Sequence, residues 1–381
     1  MPNLPRRRLL RGGMAASLLL GATGSLSLAA AVMQPRYRAP GIQIYQEVST
    51  WAGQSLPITI VAVQLQAAGL VMRPVWASSD QLPGLQPLPD ISTRLGSVAA
   101  INGGFFNRNT QQPLGAIRLD NQWISSPILG RAAIGWNDQG EIRLQRVQAN
   151  GEISTPMGDR LPLLGTNTGY VVAGLSQYTR IWGSTYTSQT DQEIILVVVG
   201  GRISAIQFAG GAGSQQVGIP AQGYLLVGRE EAGRLDAQRL VVGDEIRVHW
   251  QVNPPEMARF PHLLGAGPLL LAEGQIVLDA ELERFQPSFR TQRAARSALG
   301  WQGSDHILWV TAGQAQEQTG LTLQEMATLM QHLGCQAALN LDGGNSSTLV
   351  YQGKVLNQPQ AEGEVRMIRP RVHNGLGLFR P

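Results

Sequence analysis

One cysteine and one lysine are all that this sequence of 381 residues has of either. Cys335 has no partner for a disulfide within the chain, so stability must come from the core alone. It stands between a helical stretch and a strand-like one, where a small buried hydrophobe is the expected role. With Lys354 the sole lysine, nearly every basic side chain is an arginine. That is either a compositional habit or a use of the guanidinium fork, which grips phosphate and carboxylate better than an ammonium does. The histidines, at 249, 262, 306, 332 and 373, lack the close pairing of a metal site, which argues against zinc on His/Cys ligands. Low-complexity tracts are missing and aromatics are few. The charged fraction of 15% excludes a disordered chain.

What is present begins with an N-terminal segment that does not belong to the fold. Arg6-Arg7-Arg8-Leu9-Leu10-Arg11 precedes an apolar, glycine-containing stretch from Gly12 to Val32, with small residues Ala29-Ala30-Ala31 near its end. Basic, then apolar, then small is the order of an export signal, and the arginine run resembles a twin-arginine signal. Residues 1–33 are therefore expected to direct export to the periplasm or the exterior. The rival to a cleaved signal is a retained membrane anchor, since the stretch is about long enough to span a bilayer. The formal charge of +4 equals the four arginines of this segment, so the remainder is formally neutral. Nucleic acid is not an expected partner.

The rest reads as a β-rich α+β protein, with many short strand-like runs punctuated by glycine. Ile42 to Val63 and Val71 to Trp76 are strands, followed by a loop dotted with Pro83, Pro87 and Pro89. Ser97 to Ile101, Leu114 to Leu119 and Arg131 to Trp136 continue the pattern. Ile194 to Val199 is an unbroken β-branched run of the kind buried on both faces. No clean linker divides the chain. Residues 34–94 are expected to pack as N-terminal strands on a main domain of residues 95–381.

The clearest local signals lie in the last third. His306 to Gly313 reads as a strand. Thr322 is spaced as an N-cap with Glu325 three residues on, a capping box, and Leu321 with Met326 can form the hydrophobic staple. Leu323, Met326, Ala327, Met330 and Leu333 recur at helical spacing, and Gly334 supplies the stop. A strand from Ala337 to Leu341 follows. The expected fold class is thus α+β, a β-rich mixed sheet with a βαβ unit near the C-terminus carrying the site loop.

That loop is Asp342-Gly-Gly-Asn-Ser-Ser347, which leads into Thr348-Leu-Val-Tyr351. Asp-Gly between two strand-like runs predicts a hairpin, yet the loop is longer and more polar than a hairpin needs. Structural turn and ligand loop both remain open from these residues alone. Asn345-Ser346-Ser347 also fits a glycosylation sequon, a short and frequent match. The position outside the carboxyl end of a strand of the βαβ unit favours a ligand loop. A second stretch has the same form: Ser97 to Ile101 ends in Asn102-Gly103-Gly104.

Six blocks in order resemble the phosphodiester glycosidase family. They are Ala100-Ile-Asn-Gly-Gly-Phe-Phe106, Tyr178-Thr-Arg-Ile-Trp-Gly183 with Thr187, Gly265-Ala-Gly-Pro268, Ala295-Arg-Ser-Ala-Leu-Gly300, Gly320-Leu-Thr-Leu leading into Ala338 to Ser347, and Arg371-Val-His-Asn374. The resemblance runs from about residue 95 to residue 379. Asn345 stands where the family commonly has a third glycine, and Ser297 where it has threonine. Both keep a small polar character, so tuned activity is expected.

The resemblance implies hydrolysis of a sugar-1-phosphodiester, between the anomeric carbon and the phosphate oxygen, in a sugar-phosphate or glycoconjugate substrate. Asp342 would be the catalytic base or nucleophile, against the alternative of a turn aspartate bound to its own backbone. Arg296 would clamp the phosphate, with a salt bridge as its rival reading. Asn102 and Asn340 would orient the site or bind sugar hydroxyls, and Gly103, Gly104, Gly343 and Gly344 would let the backbone approach the ligand. Ser346 and Ser347 would hydrogen-bond phosphate or sugar, and Arg371 and Asn374 are further candidates. A serine nucleophile would need a histidine base, for which only His373 offers. Trp182 is either a sugar platform or core. No cofactor is expected. The rival chemistry, attack at phosphorus, would make Asp342 and Asn340 ligands of a calcium or magnesium ion. A binding module without turnover is the non-enzymatic alternative.

Overall fold

The computed structural model describes residues 34–51, 53–66, 69–314, 319–358 and 370–380. The expected export segment and its twin-arginine run lie outside the described residues. Among these residues no helix is long and apolar enough to cross a membrane. Strands dominate and helices are few, in keeping with the glycine-punctuated β pattern.

The strands that position the site are β1 (Ala99–Asn102), β2 (Leu269–Ala272), β3 (Arg296–Gly303), β4 (His306–Ala312), β5 (Ala337–Asn340), β6 (Leu349–Tyr351) and β7 (Asn374–Phe379). An eight-stranded sheet contains β4, β3, β5 and β2 in that spatial order, with the hairpin Ile42–Trp51 and Gln54–Gln64 beside β4. A five-stranded sheet contains β6, β1 and β7 as neighbours. A seven-stranded sheet built from the middle of the chain includes one parallel pair, Arg160–Thr166 with Gly174–Thr179.

The connection from β4 through the helix to β5 keeps the expected order of strand, helix and strand. Both strands pair antiparallel with β3, so they run the same way with β3 between them. The hairpin reading of the Asp342 loop does not hold. β5 pairs with β2 and β3, whereas β6 pairs with β1 in the other sheet, so the loop passes between sheets.

Side-chain alternation on β5 divides the core. Ala337, Leu339 and Leu341 join the large central cluster, while Ala338 faces the cluster formed with the helix Leu323–His332. Ile194–Val199 likewise serves two clusters, Ile195 in one and Ile194, Leu196 and Val198 in another. Cys335 is buried in the helix-side cluster, and desolvation pushes its thiol up to about 12, an inert packing residue. Gly300 makes this packing possible, since a Cβ there would lie 2.4 Å from the Cys335 sulfur.

The capped helix forms as its sequence dictates. The Thr322 hydroxyl accepts from the Glu325 N–H at 3.2 Å, and the Glu325 carboxylate accepts from the Thr322 N–H at 2.8 Å. At the other end Gly334, at φ 78°, and Cys335 donate to Gln331 O and Met330 O, a Schellman closure. Thr322→Ala removes one half of the box and is expected to lower stability by about 1 kcal/mol, read as a shifted denaturant midpoint. An unchanged midpoint would mean that the helix is held by packing alone.

Candidate functional site

Beyond the end of β5 the ladder with β3 continues for one step, with Leu341 N–H donating to Ser297 O at 2.9 Å. The register Ala298 opposite Asn340 brings Arg296 opposite Asp342, on the helix side of the sheet. Gly344 N–H then donates to Ala295 O at 2.7 Å, and the single turn Gly344–Ser346 leads the chain towards β6. Gly344 has φ 59° and open space where a Cβ would stand, so backbone conformation selects glycine there. A Cβ on Gly343 would lie 2.9 Å from Ala295 O, so at that position close packing selects it.

The Asp342 carboxylate accepts from the Gly343 N–H at 3.0 Å and is hydrogen-bonded by the Ser346 side chain. Desolvation nevertheless pushes its pKa up to about 6, against those bonds and the positive charges of Arg108 and Arg296. The turn aspartate of the alternative reading is therefore present in part, since one oxygen does cap its own loop. Its carboxyl also borders a cleft of about 690 Å³, which a turn residue need not do.

Behind that carboxylate stands Asn102, fully buried at the end of β1. Its Nδ2 donates to Asp342 O at 2.7 Å, and its Oδ1 accepts from the Ser297 hydroxyl at 2.7 Å and the Thr348 N–H at 3.1 Å. Asp342 N–H donates in turn to Gly103 O at 2.9 Å. The two amide-and-glycine stretches converge as front and back of one layer. The Asn102 amide is committed to protein partners and is not among the residues that line the Asp342 cleft.

Gly103 and Gly104 also differ from expectation. A Cβ on Gly103 would lie 2.3 Å from the Asn374 side-chain oxygen, and one on Gly104 would lie 2.1 Å from Gly265 O. They are glycines because the Asn374 and Leu264 side chains crowd the first and the Gly265 backbone the second, with no room there for ligand. Asn374 holds this segment, accepting from the Gly104 N–H at 2.7 Å through Oδ1 and from the Gly103 N–H at 2.9 Å through its carbonyl. Asn340 is buried and its Nδ2 donates to Gly267 O and Leu341 O, so it braces the neighbouring loop. Ser347 is buried, with its carbonyl accepting from the Asn357 amide at 2.9 Å. Arg371 is exposed on a bridge to Pro87, away from the cleft. His373 is buried against Leu82 O at 2.8 Å, and desolvation lowers its pKa to about 4, which removes it as a base for a serine. Trp182 and Tyr178 are buried against each other in the core, with ring centroids 4.7 Å apart.

Arg296 does line the cleft, but most of its fork is committed. Nε donates to Leu321 O at 2.9 Å and Nη2 to Gln292 O at 2.6 Å, leaving Nη1. Desolvation lowers its pKa to about 10, opposed by the charge of Asp342. The guanidinium also sits 5.0 Å from the Phe289 ring centroid.

Residues that local sequence did not single out complete the cleft. Phe285 and Phe289 stack at 5.2 Å, Phe105 packs against both, and the Arg131 guanidinium lies 4.1 Å from the Phe285 centroid. Arg108, Arg284 and Tyr170 border the same space. Of these, Phe105 stands in the first glycine block of the sequence, and the others carry no local mark. A larger hollow of about 1020 Å³ lies at the opposite end of β5, beside Ala337. Its carboxylates, Glu256 and Glu273, are exposed, so it lacks the desolvated acid that distinguishes the Asp342 cleft. Among the described residues no group of three or more His, Cys, Asp or Glu side chains is gathered as for a metal ion.

Residues 192–379 match the model of a family described as phosphodiester glycosidase. N-acetylglucosamine-1-phosphodiester alpha-N-acetylglucosaminidase of Bos taurus is 28% identical over 197 residues, which are 49% of this chain and 33% of that protein. The chain thus matches about a third of the length of that curated relative. A crystal structure of a hypothetical protein from Synechocystis superposes with a TM-score of 0.82 at 37% identity, covering 89% of this chain and 62% of the other. A Burkholderia pseudomallei K96243 protein, named as a candidate exported protein, shares the fold with a TM-score of 0.68 at 20% identity, over 86% of this chain and 74% of the other. The segment with the Asp342 loop, Arg296 and Asn374 lies inside the family match, whereas Asn102 precedes it. Through residues 192–379 the chain matches the phosphodiester glycosidase family, the same family that its glycine blocks resemble.

Proposed function

We propose that this chain is an exported hydrolase of sugar-1-phosphodiesters in envelope or extracellular glycoconjugates, with Asp342 as its catalytic carboxylate. The observation that carries the reading is a desolvated acid, its pKa raised to about 6, at the mouth of a cleft bordered by arginine and phenylalanine. The curated relative is named for cleaving an N-acetylglucosamine-1-phosphodiester, which supports the same substrate class here. Export is supported by the order of charge and hydropathy in residues 1–33.

The chemistry follows from the leaving group. A phosphomonoester departs readily, so strong protonation of the leaving oxygen is less necessary than for an alcohol. The anomeric carbon then gathers positive charge in an oxocarbenium-like transition state. An ionised Asp342 beside that carbon stabilises it, and either attacks it directly or takes the proton of an attacking water. Phenylalanine faces offer an apolar bed for the sugar ring. Arg296 keeps Asp342 charged through its own positive charge while its bonds to carbonyls hold it in place. Asn102, Gly103 and Gly104 fix the Asp342 backbone from behind.

The pH dependence has a definite sign. An ionised Asp342 is required, so kcat/KM is expected to fall as pH drops through about 6. The raised pKa also destabilises the fold where the group is charged. Its favourable contribution is complete below the ordinary aspartate value and is lost as pH rises through about 6. Asp342→Asn is therefore expected to stabilise the protein at neutral pH by on the order of 2 kcal/mol, with the gain vanishing below pH ~4. Thermal unfolding of the two proteins across pH measures this, and a less stable Asp342→Asn at neutral pH would contradict it.

The same variant tests the reaction. Turnover of a sugar-1-phosphodiester is expected to fall by about 10²–10⁴-fold with little change in substrate affinity. In labelled water the heavy oxygen should appear on the released sugar and not on the phosphate. Label on the phosphate would establish attack at phosphorus and overturn the glycosidase reading.

A further inference from the structure

Four arginines border the Asp342 cleft, and they fall into two kinds. Arg296 is buried with its Nε and Nη2 on carbonyl oxygens, and Arg131 lies over Phe285 with its Nε directed at Glu283 O. Arg296 has its donors largely committed to carbonyl oxygens, and Arg131 is held by its Nε and by the Phe285 ring beneath its guanidinium. Arg108 and Arg284 are exposed, and neither makes a side-chain hydrogen bond or ion pair among the described residues. We propose that Arg108 and Arg284, not Arg296, form the clamp that takes the anionic phosphate of the substrate. The proposal rests on the hydrolase reading for the identity of that anion.

An exposed arginine is ordinarily a mobile one, and what separates these two is how firmly their backbones are held. Arg108 is at the tip of a turn after Phe106–Asn107. The Asn107 side-chain oxygen accepts from the N–H groups of Asn109 at 2.9 Å and Thr110 at 3.2 Å, and Gln111 N–H closes the turn on Asn107 O at 2.7 Å. Arg284 follows Glu283, a fully buried carboxylate that pins its loop to two sheets. Glu283 accepts from the N–H groups of Leu269 at 2.8 Å and Ala132 at 2.9 Å, and from Arg146 Nε at 3.1 Å. Arg284 itself has φ 55° in a turn whose N–H donates to Glu281 O at 2.8 Å. Each guanidinium therefore extends from a rigid stem, which reduces the ordering cost of gripping a ligand. Uncommitted forks on fixed stems at a positively charged cleft are suited to a phosphate, which accepts bidentate bonds.

Arg108 also attracts the Asp342 carboxylate, so a phosphate held there would be next to the carbon that the acid serves. This supplies a readout that a merely structural residue would not move. Without Arg108 the acid limb of the pH profile should shift upwards, because the carboxylate loses a stabilising charge.

The test uses the full chain with Arg108→Gln, Arg284→Gln and, as a control outside the cleft, Arg290→Gln. Calorimetric binding of inorganic phosphate is expected to weaken by about 10–100-fold in each clamp variant and to stay unchanged in the control. KM for a sugar-1-phosphodiester should rise with phosphate affinity lost, at unchanged melting temperature. Native phosphate affinity and KM in both variants would overturn the clamp while leaving the hydrolase reading intact. Loss in one variant alone would overturn the paired clamp. If the wild type hydrolyses no sugar-1-phosphodiester yet loses phosphate binding in both variants, the clamp stands and the hydrolase reading fails.

Discussion

Two sheets meet at the side chain of Asn102. From the end of β1 its amide reaches the carbonyl of Asp342, the hydroxyl of Ser297 and the N–H of Thr348. Those partners belong to the exit of β5, to β3 and to the entry of β6. A buried amide with three partners is worth more as a network than as separate bonds, and losing it would leave several buried groups unpaired. The Asp342 backbone is thereby fixed from the rear, while the Gly343 N–H and the Ser346 side chain hold its carboxylate. Every other feature of the site depends on that.

The electrostatics follow from the same layering. A carboxylate in this environment is pushed towards its neutral form, while Arg108, Arg296 and the Ser346 side chain pull it back. The balance near pH 6 keeps the group charged in neutral surroundings but less solvated than a surface acid, the condition under which a carboxylate is an effective base or nucleophile. On the proposed hydrolase reading, stability given up at Asp342 would be the usual companion of function. Arg296, fastened to carbonyls, contributes charge with little freedom to follow a moving substrate.

The parts of this that were legible in the sequence are those encoded within a few residues. Thr322 and Glu325 announced the helix cap, and the strand before Asp342 announced itself by alternation. What failed was anything requiring a distant partner. Asp342-Gly343 reads as a hairpin because both flanks are strand formers, yet β5 and β6 find their partners in different sheets. Gly103 and Gly104 read as ligand-approach glycines, but Asn374 and Gly265, far along the chain, press on them. Arg371 sat in a block resembling the family and is exposed on a bridge to Pro87. Arg108, Arg284, Phe285 and Phe289 carry no local signature at all, since an arginine beside a turn looks like any solvated residue.

The titration of the Asp342 side chain tests the central claim most directly. In protein labelled with ¹³C at aspartate carboxyls, the resonance that disappears in Asp342→Asn identifies the group, and its shift with pH reports its pKa. A midpoint near 6 is expected for a carboxylate desolvated at the mouth of the cleft. A midpoint at ~4, the ordinary aspartate value, would mean a hydrated turn residue and contradict its role as the reactive acid.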